Sequence, residues 1–213
     1  MTFFADVNHF TRTRHQRFTL AATVVSLGLL AVALPSRAGV EEGRTKAQVC
    51  AACHGADGNS AMPGIPSLAS QPKQFIVTAL FEFREGKRAN PVMGPMAASL
   101  SNTDFNDLAA YFASLPAKAS GAAAGDAEAG KRLTVQNNCV ACHSANLMGQ
   151  QHIPRLAGQR AEYLRDQLTA FKATTRTDMD GTMTSAAQAL SAQDIDVLAN
   201  YLAGLTPAAP TGK

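Results

Sequence analysis

All four cysteines of the chain fall in two five-residue stretches, Cys50-Ala51-Ala52-Cys53-His54 and Cys139-Val140-Ala141-Cys142-His143. On a helix, residues three apart share a face, so each pair can present two thiols to one edge of a flat ligand. The histidine directly after the second cysteine can then turn its ring toward the centre of that ligand. This is the spacing of c-type haem attachment, and the four cysteines account for two covalently bound haem c groups. Three other chemistries draw on the same residue types. A thioredoxin-like redox pair belongs in a strand–helix context and leaves His54 and His143 without a use. A four-cysteine zinc site would have to gather two pairs that lie far apart in the sequence. A disulfide inside Cys-x-x-Cys closes a very short loop and adds little stability.

Laid against itself, the chain repeats. The two motifs match at an offset of 89 residues, Ile65-Pro66-Ser67-Leu68-Ala69 matches Ile153-Pro154-Arg155-Leu156-Ala157 at 88, and Met93 matches Met183 at 90. Leu100-Ser101 pairs with Leu190-Ser191 and Tyr111 with Tyr201 at that same spacing. Two copies with short indels form a tandem duplication, not a solenoid, which needs three or more units. The alignment selects the second axial ligand of each iron. Met93 and Met183 are the methionines that match between copies, and a thioether is a soft ligand that raises a haem potential. Met96 and Met179 are their local rivals, while Met62 and Met148 lie nearer the motifs and do not align. His152 has no mate in the first copy and reads as a surface residue. Pro66 and Pro154 each offer a carbonyl that could hold the non-ligating nitrogen of the axial histidine, fixing its orientation and basicity.

The elements that must position these residues read as helices. Glu41 to His54 suggests a short helix ending at the first motif, and Asp126 can cap its counterpart running through Leu133 to Cys139. Pro72, at a first-turn position, opens a stretch with Phe75, Ile76, Ala79, Leu80 and Phe83 at helical spacing, mirrored by Tyr163, Leu164, Leu168 and Phe171. Ser101-Asn102-Thr103-Asp104 and Ser191-Ala192-Gln193-Asp194 resemble capping boxes with Asp in place of Glu, each before an apolar helix. These helices run from Phe105 to Leu115 and from Ile195 to Leu205. No stretch alternates as a strand should, so the expected class is all-α with long loops.

The N-terminus carries Arg12, Arg14 and Arg17, then an apolar run from Thr19 to Leu34 and a small-x-small site ending at Ala38. This reads as a secretory signal peptide over residues 1–38; the run of about 16 residues is short of the roughly 20 a spanning helix needs. The whole chain has 19 basic and 16 acidic residues and a pI near 8.8. Four of the basic residues and one acid lie in the signal, which leaves 15 of each and a near-neutral remainder. Nothing in that balance points to nucleic acid, which calls for a basic patch on the folded domain. Residues 39–116 and 126–206 read as two small domains, with a Pro-, Ala- and Gly-rich linker at 117–125 and a tail at 207–213. With three tyrosines and no tryptophan, each small core is short of bulk that a porphyrin would supply.

Together the two motifs, the Ile-Pro-x-Leu-Ala segments, the late methionines and the closing Leu-Ser-x-x-Asp helices resemble the dihaem cytochrome c4 family across residues 40–206. Gly55-Ala56-Asp57-Gly58-Asn59-Ser60 and Leu156-Ala157-Gly158-Gln159 carry that resemblance further. The chain departs from it at Ser70, where the second copy has Gly158, and in the segment after His143, which lacks the glycine spacing seen after His54. The resemblance implies two class I cytochrome c domains related by a pseudo-twofold axis, with haem propionate edges facing each other. It implies a periplasmic electron shuttle, not an enzyme, between a quinol-oxidising complex and a terminal oxidase, with loose association at the outer face of the inner membrane. The alternatives are an electron-accepting subunit of a dehydrogenase, such as a flavocytochrome sulfide dehydrogenase, and a dihaem peroxidase. The last needs a displaceable ligand on one iron.

Overall fold

The computed structural model describes residues 38–121 and 126–209. The expected signal peptide lies outside the described residues except for Ala38, as do residues 122–125 of the linker and 210–213 of the tail. Among the described residues, no helix is long and apolar enough to cross a membrane.

Each half traces the same circuit of five helices. The first has α1 (Ala38–Lys46), a 3-10 turn (Ala47–Val49), α2 (Ala51–His54), α3 (Lys73–Arg84), α4 (Met93–Ala98) and α5 (Asn102–Ser114). The second has α6 (Ala127–Gln136), α7 (Cys139–His143), α8 (Ala161–Lys172), α9 (Thr182–Gln188) and α10 (Ala192–Gly204). The described residues contain no strand, only an isolated bridge between Gln150 and Ile153. The all-α expectation holds, with three local corrections. Glu41 to His54 is not one helix, because the 3-10 turn separates α1 from α2. Helix α6 stops at Gln136 instead of reaching Cys139, because Asn138 adopts a left-handed backbone (φ 54). Asparagine is among the few residues that visit that region readily. Pro72 is the N-cap of α3 and not a first-turn residue, since its ψ of 136 is non-helical.

Both halves are built on a close crossing of their first and last helices. A Cβ on Gly43 would lie 2.0 Å from Asp107 O, and one on Gly130 would lie 2.2 Å from Tyr201 Cβ. Only glycine permits that approach. Helices α5 and α10 begin with complete capping boxes, Ser101 with Asp104 and Ser191 with Asp194. Phe105, Leu108, Ala109 and Phe112 of α5 are buried, as are Ile195, Leu198, Ala199, Leu202 and Ala203 of α10. The last helix of each half is therefore the spine against which the site-bearing loops pack.

The halves meet at a polar seam with pseudo-twofold symmetry. Gln159 Oε1 accepts from Ser67 N (2.7 Å) while its Nε2 donates to Ser67 O (2.9 Å). Gln71 Oε1 accepts from Arg155 N (2.9 Å) while its Nε2 donates to Arg155 O (3.1 Å). Residues 67 and 155 are repeat mates, as are 71 and 159, so each half gives what it receives, the isologous pattern of a twofold interface. These four residues are all buried, and full pairing is what makes such burial tolerable. Arg88 extends the seam by donating to Tyr163 Oη (3.0 Å) and Gln167 Oε1 (2.9 Å).

Candidate functional site

In the first motif Cys50 joins the 3-10 turn to α2, which holds the other four residues; the second motif fills α7. Cys50 and Cys139 are half-buried and Cys53 and Cys142 are exposed, with no disulfide among them. Burial pushes the Cys50 and Cys139 thiols up, and the neighbouring Cys53 and Cys142 thiols push in the same direction. An activated redox thiolate needs the opposite shift, so a thioredoxin-like reading finds no support in the electrostatics. No three His, Cys, Asp or Glu side chains converge among the described residues, so the cysteine pairs do not combine into a zinc cage.

His54 and His143 are buried, 7% and 4% exposed, at the ends of their motif helices. The structure puts His54 Nδ1 2.8 Å from Pro66 O and His143 Nδ1 2.8 Å from Pro154 O. A carbonyl only accepts, so each ring donates through Nδ1 and keeps the lone pair on Nε2. Burial lowers both histidines from their usual pKa, and the proline carbonyl pulls weakly the other way. The result is a neutral imidazole with one fixed, basic nitrogen, the donor that a haem iron takes.

The carbonyl ends of the motifs are tied down as well. Ser60 Oγ donates to Cys53 O (2.9 Å), and in the second half Gln150 Nε2 donates to Cys142 O (3.0 Å). The sequence after His143 departs from that after His54, yet a different side chain performs the same task.

Met93 is the first residue of α4, and Met183 the second of α9; both are half-buried. Their rivals Met96 and Met179 are 44% and 78% exposed. Both backbones are clamped by an Asx side chain: Met93 N donates to Asn90 Oδ1 (2.7 Å) and Met183 N to Asp178 Oδ2 (2.9 Å). Helix α4 packs on α3, and α9 on α8. Along α3 from Phe75 to Arg84 only Ile76 is buried, although Phe75, Ala79, Leu80 and Phe83 are apolar. A half-covered apolar helix, in the same half as a cysteine pair and an oriented imidazole, fits a flat apolar cofactor. His152 is exposed, in keeping with a surface role.

Sequence reading missed several residues that shape this region. Gln71 and Gln159 stood inside an aligned segment, and Arg88 and Arg176 share the 88-residue offset, so the repeat itself carried the signal. Each arginine stacks on a phenylalanine of its own half: Arg88 lies 4.6 Å from the Phe83 ring centroid and Arg176 4.3 Å from that of Phe171. Asn90 and Asp178 share the same offset, but the task of an Asx side chain reaching three to five residues on has no distinctive pattern.

Comparison with known proteins agrees with this geometry. The cytochrome c family matches residues 40–116 and again 127–206. Cytochrome c4 of Pseudomonas aeruginosa is 37% identical over 197 residues, spanning 87% of this chain and 98% of that one. A thiosulfate dehydrogenase electron acceptor of Stutzerimonas stutzeri is 38% identical over 173 residues, 75% of this chain and 80% of its own length. The crystal structure of reduced cytochrome c4 from Pseudomonas stutzeri superposes with a TM-score of 0.71 at 33% identity, covering 78% of this chain and 98% of that one. Two cytochrome c domains, two covalently bound haem c groups and a shared architecture place this chain in the dihaem cytochrome c4 family.

Proposed function

We propose that the chain, after loss of residues 1–38, is a periplasmic electron carrier with haem domains at 39–116 and 126–206, linked by 117–125 and ending in a tail at 207–213. Bound haem supplies one-electron chemistry at its iron. The residues of this chain attach, orient and tune it. Cys50 and Cys53 anchor the first group and Cys139 and Cys142 the second, through thioether bonds. His54 and His143 supply the proximal nitrogen, held in register by Pro66 and Pro154. Met93 and Met183 would supply the second, thioether ligand of each iron, from backbone positions fixed by Asn90 and Asp178. With a histidine and a methionine both available to each haem iron, neither iron would offer an open site to a substrate, which favours carriage over catalysis. The observation that carries the reading is the paired 2.8 Å contact from histidine Nδ1 to proline carbonyl, one in each half.

The carrier would take electrons from a quinol-oxidising complex and pass them to a terminal oxidase. A near-neutral surface suits brief docking through small patches, as in transient redox complexes. The relative named as a thiosulfate dehydrogenase electron acceptor favours a second reading, in which a periplasmic dehydrogenase is the donor. Purification of the native protein separates the two: stable co-elution with a dehydrogenase subunit would overturn the free-carrier reading. Haem quantification should give two per chain, and Met93→Ala or Met183→Ala should each open one iron to added ligands. If Met96→Ala or Met179→Ala does so instead, the ligand choice is wrong.

A further inference from the structure

Arg155 is the most deeply buried charged residue described, at 1% exposure. Its guanidinium bonds only to backbone carbonyls: Nε to Ala69 O (3.2 Å), Nη2 to Ser67 O (3.5 Å) and Nη1 to Ala157 O. None of the ion pairs among the described residues includes it. Burial draws its pKa down to about 10, which leaves the group protonated at neutral pH. Its repeat mate is Ser67, so the seam carries this charge once, not twice.

The location matters as much as the burial. Arg155 directly follows Pro154, whose carbonyl holds His143. Two of its three acceptors belong to the other half, and one of them, Ser67, directly follows Pro66, whose carbonyl holds His54. A single fixed cation therefore sits between the two loops that orient the two axial histidines. One-electron oxidation adds a positive charge at an iron, and a nearby buried cation opposes it. At an effective dielectric of about 20, a unit charge some 10–15 Å from a redox centre shifts its equilibrium about tenfold. The sign is the same if the guanidinium pairs with a haem propionate, because pairing cancels a negative charge that would favour the oxidised iron.

Resting on the haem assignment above, we infer that Arg155 is a redox-tuning residue shared by both haems, one buried charge that stabilises the reduced state of each. The test is a spectroelectrochemical titration of the two-haem protein carrying Arg155→Gln, Arg155→Met or Arg155→Lys. Both uncharged variants should favour oxidation of each haem about tenfold, which for one electron is a fall of about 59 mV. Arg155→Lys, which keeps the charge, should leave both equilibria within about threefold of the parent. Uncharged variants that retain two haems and their helical content but keep parental potentials would overturn the proposal. So would a Lys variant that shifts as far as Gln and Met, because packing rather than charge would then be responsible. If neither uncharged variant folds, the Lys variant still decides, since a tenfold shift in it contradicts the inference. Haem count and the thioether–iron absorption band are recorded on the same samples. Their loss from the parent protein would instead count against the ligand assignment.

Discussion

The two halves solve one geometric problem with opposite residue choices. After His54 the chain turns through Gly58 (φ 72), and after His143 it turns through Leu147 (φ 58). Both carbonyls receive the same two amides: Gly58 O accepts from Leu68 and Ala69, Leu147 O from Leu156 and Ala157. Behind Gly58 lie Ala69 N, Leu115 and Phe112, at 3.1, 3.1 and 3.3 Å from an added Cβ. The mate of Phe112 is Leu202, which shares a buried cluster with Leu147. A large residue on the last helix thus faces glycine in one half, and two leucines meet in the other. The loop conformation is common to both, so it is imposed by the carbonyl's two hydrogen bonds, not by the residue that adopts it. Leucine there carries a left-handed cost of about 1–2 kcal/mol, offset by its burial.

That exchange can be tested hardest at Gly58. Gly58→Leu should destabilise the first half by about 3–5 kcal/mol, from overpacking against Phe112 together with the left-handed backbone. Adding Phe112→Leu should recover more than half of the loss, read by domain-resolved hydrogen exchange on the holoprotein. Strict additivity of the two changes would break the comparison. The reverse change, Leu147→Gly, should cost less, about 2 kcal/mol, because relief of backbone strain partly offsets the cavity. Leu202→Phe added to it should restore stability, as the first half already pairs these residue types.

Where the halves agree, they should respond alike. Ser101→Ala and Ser191→Ala should each cost about 1 kcal/mol, since both remove the same capping box. A difference of more than about half that value would mean the boxes are not equivalent. The smallest effect should fall on one half alone. Lys46 bridges Asp104 (2.7 Å) and Asp107, whereas the residue three after the crossing glycine Gly130 is Leu133 and the mate of Asp107 is Val197. Lys46, then Ser101, holds the Asp104 carboxyl well below the usual carboxylate range. A depressed carboxylate contributes stability above its unfolded pKa, near 3.8, and loses it as pH falls through the folded value. Lys46→Met should therefore start acid loss at higher pH in the first half and leave the second, whose Asp194 relies on Ser191, unchanged. Urea midpoints measured across an acid pH series would show it.

Much of the architecture was legible because it rests on local pattern or on repetition. The capping boxes, the Asp126 cap, the proline-flanked α3 and the spine helices follow from spacing alone. The break at Lys46 did not, since the residues from Glu41 to His54 hold no Pro and what constrains α1, the crossing at Gly43 and the Lys46 bridges to α5, is tertiary. Asn138 was read as helical because left-handed geometry is a tolerance of asparagine, not a requirement. The proline carbonyls stood out because they recur beside each motif. Arg155 was hidden for the contrary reason: arginine normally faces water, and its partners lie up to 88 residues away across a seam that sequence does not describe.

The reciprocal Gln71 and Gln159 bonds have a consequence for how such a protein can arise and change. Each amide grips only main chain, so any copy of the domain that keeps the glutamine can recognise another copy, whatever side chain stands at the gripped position. A pair of separate chains held this way must stay identical and depends on concentration. Once the two are fused, attachment is permanent and each copy is free to drift on its own. Ser67 opposite Arg155 and Gly58 opposite Leu147 are the divergence that fusion permits: the symmetry survives in the backbone while the side chains become two different proteins.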